Sequence, residues 1–89
     1  MRIDVIDVFR AIIQERAFQD NKYGPVNGSG GHPLAAWLLI IRSELNEAMD
    51  AVTHGGMQST KGRDSVRAEI VQIAAVCVAA LEQHGLEES

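Results

Sequence analysis

Two glutamates three residues apart, Glu44 and Glu47 in the stretch S-E-L-N-E, are where chemistry first becomes legible in this chain. A helix turns about 100° per residue, so on a helix they stand about 60° apart on one face and their carboxylates can share a cation. On the same wheel Glu44 falls between Trp37 and Ala51, with Ile40 and Ala48 close by, inside the apolar arc. An unpaired charge on a core-facing stripe is costly, so such a carboxylate is expected to be neutralised, ion-paired or bound to metal.

A third acid has the same character. In the next apolar segment Glu69 stands among Ile73, Val76 and Ala80 on the helical wheel. If the segments carrying these acids pack antiparallel, as a short connector favours, Glu44, Glu47 and Glu69 converge on one spot. Hard cations such as Mg2+ and Mn2+ take oxygen ligands of this kind. Ordinary helix salt bridges are the competing explanation, with Arg42 and Arg67 as available partners and Glu47 as simple surface charge.

The elements that must position these acids are helical. Apolar residues at three- and four-residue spacing (Val5, Ile6, Val8, Phe9, Ile12, Ile13, Ala17) predict an amphipathic helix over residues 4 to about 21. It ends in a dense polar cluster of Glu15, Arg16, Gln19, Asp20 and Lys22. Residues 23–32 are too rich in glycine for a regular element and read as a mobile connector or lid. Pro33 suits the first turn of a second helix, predicted to run to residue 52 or 53 with a core stripe of Leu34, Trp37, Leu38, Ile41, Leu45, Ala48, Met49 and Val52. A second glycine-containing connector, residues 54–63, leads to a third helix capped by Asp64 or Ser65 and stopped by Gly85. Between Ile73 and Leu81 every residue is apolar, a pattern that predicts burial on all sides. Three helices in one chain cannot cover one of their number completely, so this helix is expected to pack against a second subunit as well. The expected fold is therefore all-α: a single small antiparallel helical domain, residues 1–89, completing a four-helix-bundle-like core as a homodimer or homotetramer.

Bulk properties narrow the function. At 89 residues the chain is near the lower size limit for an independent core. A net charge of -4 gives no electrostatic footprint for DNA or RNA, which also argues against a metal-dependent nuclease. The lone Cys77 lies in the apolar run and reads as a small buried thiol. The first residues lack a hydrophobic block of signal-peptide type and no segment is apolar enough to span a membrane, so a cytoplasmic location is expected.

The order and spacing of these residues resemble the all-α nucleoside triphosphate pyrophosphohydrolases of the MazG-like and dimeric dUTPase group, which carry ExxE on one helix and ExxD on the next. This chain has Glu44-x-x-Glu47, a loop, then Glu69-x-x-Gln72, so an amide stands at the last position. Small phage members are similar over E-R-x-x-Q-D-x-K-x-G, matched by Glu15, Arg16, Gln19, Asp20, Lys22 and Gly24. The resemblance implies magnesium-dependent hydrolysis of a nucleoside triphosphate between the α and β phosphates, with Mn2+ able to substitute. It implies Glu44, Glu47, Glu69 and Gln72 as the metal set, with Glu44 and Glu47 as catalytic carboxylates and Glu47 orienting the attacking water. Arg16 and Lys22 would face phosphates, and Gln19 with Trp37 would line the nucleoside pocket, although a tryptophan at position 37 is more often core than stacking platform. Similarity to the phage proteins points further to guanine triphosphates in a phage nucleotide-pool pathway, in the host cytoplasm. The alternative is a non-catalytic helical adaptor that dimerises through its third helix, which would leave Glu44 and Glu69 unexplained.

Overall fold

The computed structural model describes residues 3–55 and 60–86, and among them every regular element is a helix: α1 (Val5–Tyr23), α2 (Leu34–Gly55) and α3 (Thr60–His84). The all-α expectation holds. Helix α1 starts where Asp4 adopts an extended conformation, and its N–H donates to the Asp7 carboxylate at 3.4 Å. It stops at Gly24, whose φ of 93° is open to glycine and strained for other residues, and whose N–H closes the last turn on the Asp20 carbonyl at 2.8 Å. Gly85, at φ 80°, ends α3 in the same manner through the Leu81 carbonyl.

Helix α3 is the centre of the molecule: it packs against both α1 and α2, which do not pack against each other among the described residues. The start of α2 meets the end of α3, where Trp37 bonds Gln83, and Glu47 further along α2 meets Glu69 early in α3. The two helices are therefore antiparallel. Their shared core is small-residue packing, with Val76, Ala79 and Ala80 of α3 buried against Trp37 and Val26, Ile40 and Ile41 alongside, and Ala75 buried as well.

Three sequence expectations change. The glycine-rich segment is not an open lid: the N–H groups of Gly28 and Gly30 both donate to the Pro25 carbonyl, at 2.9 and 3.0 Å, and the Ser29 hydroxyl donates to the Tyr23 carbonyl at 3.0 Å. These turns place Val26 in the core, and a side chain at Gly30 would collide with the Gly24 carbonyl. Helix α3 begins at Thr60, before the expected cap, because the single Gly62 costs only about 1 kcal/mol against alanine and does not stop it. The rest of the expected second connector, residues 56–59, lies outside the described residues. Finally, the expected α2 core stripe is split lengthwise: Trp37 and Ala48 are buried, Ile41 and Val52 half-buried, whereas Leu34, Leu38, Leu45 and Met49 face outward. The run from Ile73 to Leu81 is covered on the sides that face α1 and α2, with Val78 and Leu81 exposed.

Candidate metal and substrate site

Because α1 and α2 flank α3 with their backbones held apart, a cleft remains between them with α3 as its floor. It holds a cavity of about 410 Å3, within the range of small-molecule sites. One wall is the end of α1, with Glu15, Gln19 and Lys22; the opposite wall is α2, with Trp37, Ile40 and Glu44; Gln72 and Val76 rise from α3. The glycine-rich turns close one end through Val26 and Gly30. Every substrate-side residue expected from the sequence (Arg16, Gln19, Lys22 and Trp37) borders this one space, as do Glu44 and Gln72.

At the edge of the cleft the three acids come together. One carboxylate oxygen from each of Glu44, Glu47 and Glu69 can be chosen so that all lie within 4.8 Å of one another. The helix geometry explains it: Glu44 and Glu47 share a face of α2, and the antiparallel α3 presents Glu69 across the interface. Glu44 and Glu69 are half-buried and Glu47 is exposed. One oxygen of Glu44 and one of Glu69 are shielded from solvent and accept no hydrogen bond. Buried acceptors are almost always satisfied, so two orphans side by side are a departure that needs a cause. Of the arginines offered for ordinary salt bridging, Arg67 pairs instead with Asp64 at 2.9 Å, and the ion pairs of Arg10 and Arg16 are made with Asp7, Asp20 and Glu82.

Electrostatics follow from this crowding. The Glu44 carboxyl titrates above its ordinary range, first because burial penalises the anion, then because Glu47, Glu69 and Glu15 add negative charge; Lys22 opposes them. Oxygen donors that are clustered, negatively charged and short of hydrogen-bond partners suit a hard divalent cation. Gln72 has only its amide oxygen to offer such an ion, and it borders the cavity beside the triad's helix.

Two of the cleft residues are held by partners of their own. Arg16 is the one buried charged side chain among the described residues, and its guanidinium donates to both oxygens of Glu82, at 3.0 and 2.9 Å, and to Asp20 at 2.9 Å. These partners occupy it as a clamp holding α1 to α3, which leaves Lys22 as the more available cation of the α1 wall. Trp37 is 5% exposed, its indole N–H donates to the Gln83 amide oxygen at 2.7 Å, and the His32 ring meets it edge-on at 4.9 Å. It is thus both core and cavity wall.

Sequence reasoning gave no role to Glu15 and Gln83. Glu15 lines the cavity and adds to the negative charge at Glu44, and the amide oxygen of Gln83 accepts from both the His32 N–H, at 2.9 Å, and Trp37. Glu15 stood inside the α1 motif, but only the packing angle of α1 reveals which acid it faces. No protein-family model, curated protein or solved structure matches the chain. The functional reading therefore rests on the site itself.

Proposed function

We propose that this chain is a metal-dependent nucleoside triphosphate pyrophosphohydrolase, releasing the nucleoside monophosphate and pyrophosphate. The observation that carries the reading is the pair of orphaned, buried oxygens on Glu44 and Glu69, beside Glu47, at the mouth of a nucleotide-sized cleft with Lys22 on its facing wall. Glu44, Glu47 and Glu69 would hold the cation, Mg2+ or Mn2+, with Gln72 next to them. A cation bound there neutralises phosphate charge and lowers the pKa of a water for attack on phosphorus.

The remaining chemistry belongs to the chain's own groups. The Lys22 ammonium binds phosphate oxygens from the α1 side, opposite the acids. Glu47, the most exposed of the triad, is free to accept a hydrogen bond from the attacking water and fix its direction, while Glu44 keeps the neighbouring charge in place. The Gln19 amide supplies a neutral donor and acceptor for the nucleoside, and the Trp37 and Val26 wall keeps water from the cleft's inner end. Guanine nucleotides are the narrower proposal for the substrate.

A panel of the eight common ribo- and deoxyribonucleoside triphosphates with Mg2+, scored for monophosphate and pyrophosphate in equal amounts, tests both reaction type and base preference. Equimolar products from at least one substrate support the reading. No turnover with any of the eight, in Mg2+ or Mn2+, contradicts it.

A further inference from the structure

Helix α1 carries three acids, and only one of them lacks a countercharge. Asp7 pairs with Arg10 and Asp20 with Arg16, whereas Glu15 forms no ion pair among the described residues. The nearby cations are turned elsewhere: the Arg16 guanidinium is taken up by Glu82 and Asp20, and the Lys22 ammonium lies over the Tyr23 ring, 5.1 Å from its centroid. Glu15 is nevertheless half-buried and lines the cleft, and its charge reaches Glu44 on the opposite wall. Two carboxylates therefore face each other across a gap that the backbones of α1 and α2 do not close. Like charges so placed repel unless something positive stands between them.

We propose that Glu15 is a positioning residue for the cation site, accepting hydrogen bonds from water carried by an ion that Glu44, Glu47 and Glu69 hold; this rests on the reading of those three acids as that site. Glu15 stands outside the group of acids whose oxygens gather within 4.8 Å, so water rather than direct contact is the fitting link. A small hard cation such as Mg2+ keeps several waters, and those turned away from α2 and α3 need acceptors on the facing wall. Glu15 is the unpaired acid that α1 offers there, while Gln72 on the floor of the cleft brings no charge. The buried, partnerless oxygens of Glu44 and Glu69 are an independent sign that this edge is built for a ligand. Through Glu15 the site extends to a helix that supplies none of the triad. Positive charge in the gap turns the repulsion between the two walls into a shared attraction, which steadies α1 and with it Gln19 and Lys22.

The test uses Mn2+ alone with the intact chain, read by isothermal titration and by amide hydrogen exchange in α1, for the wild type and for Glu15→Gln. The substitution keeps the shape of the side chain and removes its charge, and circular dichroism checks the helical content. Glu15→Gln is expected to bind Mn2+ about 10-fold or more weakly, the usual cost of losing a partner that orients a metal's ligands. Saturating Mn2+ is expected to slow exchange in α1 of the wild type and to leave it unchanged in the variant, a difference that a merely structural role for Glu15 would not produce. Wild-type affinity in the folded variant, or wild-type α1 exchange that Mn2+ does not alter, overturns the proposal while binding by the triad stands. A wild-type chain that takes up no Mn2+ overturns both the triad and this extension of it.

Discussion

At Glu44, burial and the nearby charges of Glu47, Glu69 and Glu15 all favour the neutral carboxyl. The native chain therefore holds this proton more tightly than the unfolded chain does. By linkage the resulting stability is greatest below the ordinary carboxylate range and is lost as pH rises through that range to the raised value. Without metal at neutral pH, Glu44 is a burden on the fold, and Glu44→Gln should melt at or above the wild-type temperature. The same substitution should abolish the rise in melting temperature that Mn2+ gives the wild type. Melting curves at pH 7 with and without Mn2+ check both halves, and a metal-free variant that melts well below wild type would remove the strain argument. Because bound cation and proton compete for the same oxygens, metal affinity should fall as pH is lowered towards the raised Glu44 value. Gln72→Asp bears on the neighbouring position: an added charge beside the triad should tighten Mn2+ binding, and an unchanged affinity would place residue 72 outside the ligand set. These acids were legible in the sequence because a charge on an apolar stripe shows on a helical wheel. Glu15 was not, because its relation to Glu44 is set by the gap between α1 and α2, and no periodicity encodes that.

Among the elements, the three helices follow from apolar spacing and from glycine and proline punctuation, and their existence and order match expectation. What the pattern could not supply was the state of the glycine-rich segment and the side of each helix that its own chain would cover. Composition alone made residues 23–32 look mobile, yet the segment's N–H groups find carbonyls within it and Val26 turns into the core. It is attached to α3 through Gln83, whose amide oxygen accepts from the His32 N–H and from Trp37 of α2, and through the His84 ring at 2.8 Å from the His32 carbonyl oxygen. Gln83→Ala leaves both donors without that partner and should lower the stability by about 1–3 kcal/mol in urea denaturation, while the metal site at the other end of the cleft keeps its affinity. A parallel argument applies to α1, which is fastened to α3 by the Arg16 and Glu82 pair. Glu82→Ala leaves a buried guanidinium short of its bidentate partner, so amide hydrogen exchange in α1 should rise more than in α2, and equal exchange in both helices would contradict the clamp. The Ile73 to Leu81 run is ambiguous in a related way. Uniform apolarity signals coverage from several directions, but it does not say whether a neighbouring helix or a second chain provides it, and here α1 and α2 provide much of it.

Across the whole molecule, a central helix with two flanking helices that do not pack on each other produces the cleft between α1 and α2. The cleft gathers acids at one edge, a lysine on the facing wall and an apolar end behind Trp37, a distribution suited to a metal-bound polyphosphate carrying a nucleoside. Among the described residues no helix is long and apolar enough to cross a membrane. Everything functional in this account depends on Glu44, Glu47 and Glu69 acting together as a cation site. Isothermal titration of the intact chain with Mn2+ measures that most directly. Saturable binding that disappears in Glu69→Gln, with helical content retained, is the expected result. Absence of binding at millimolar Mn2+, or binding that survives Glu44→Gln and Glu69→Gln alike, would contradict it.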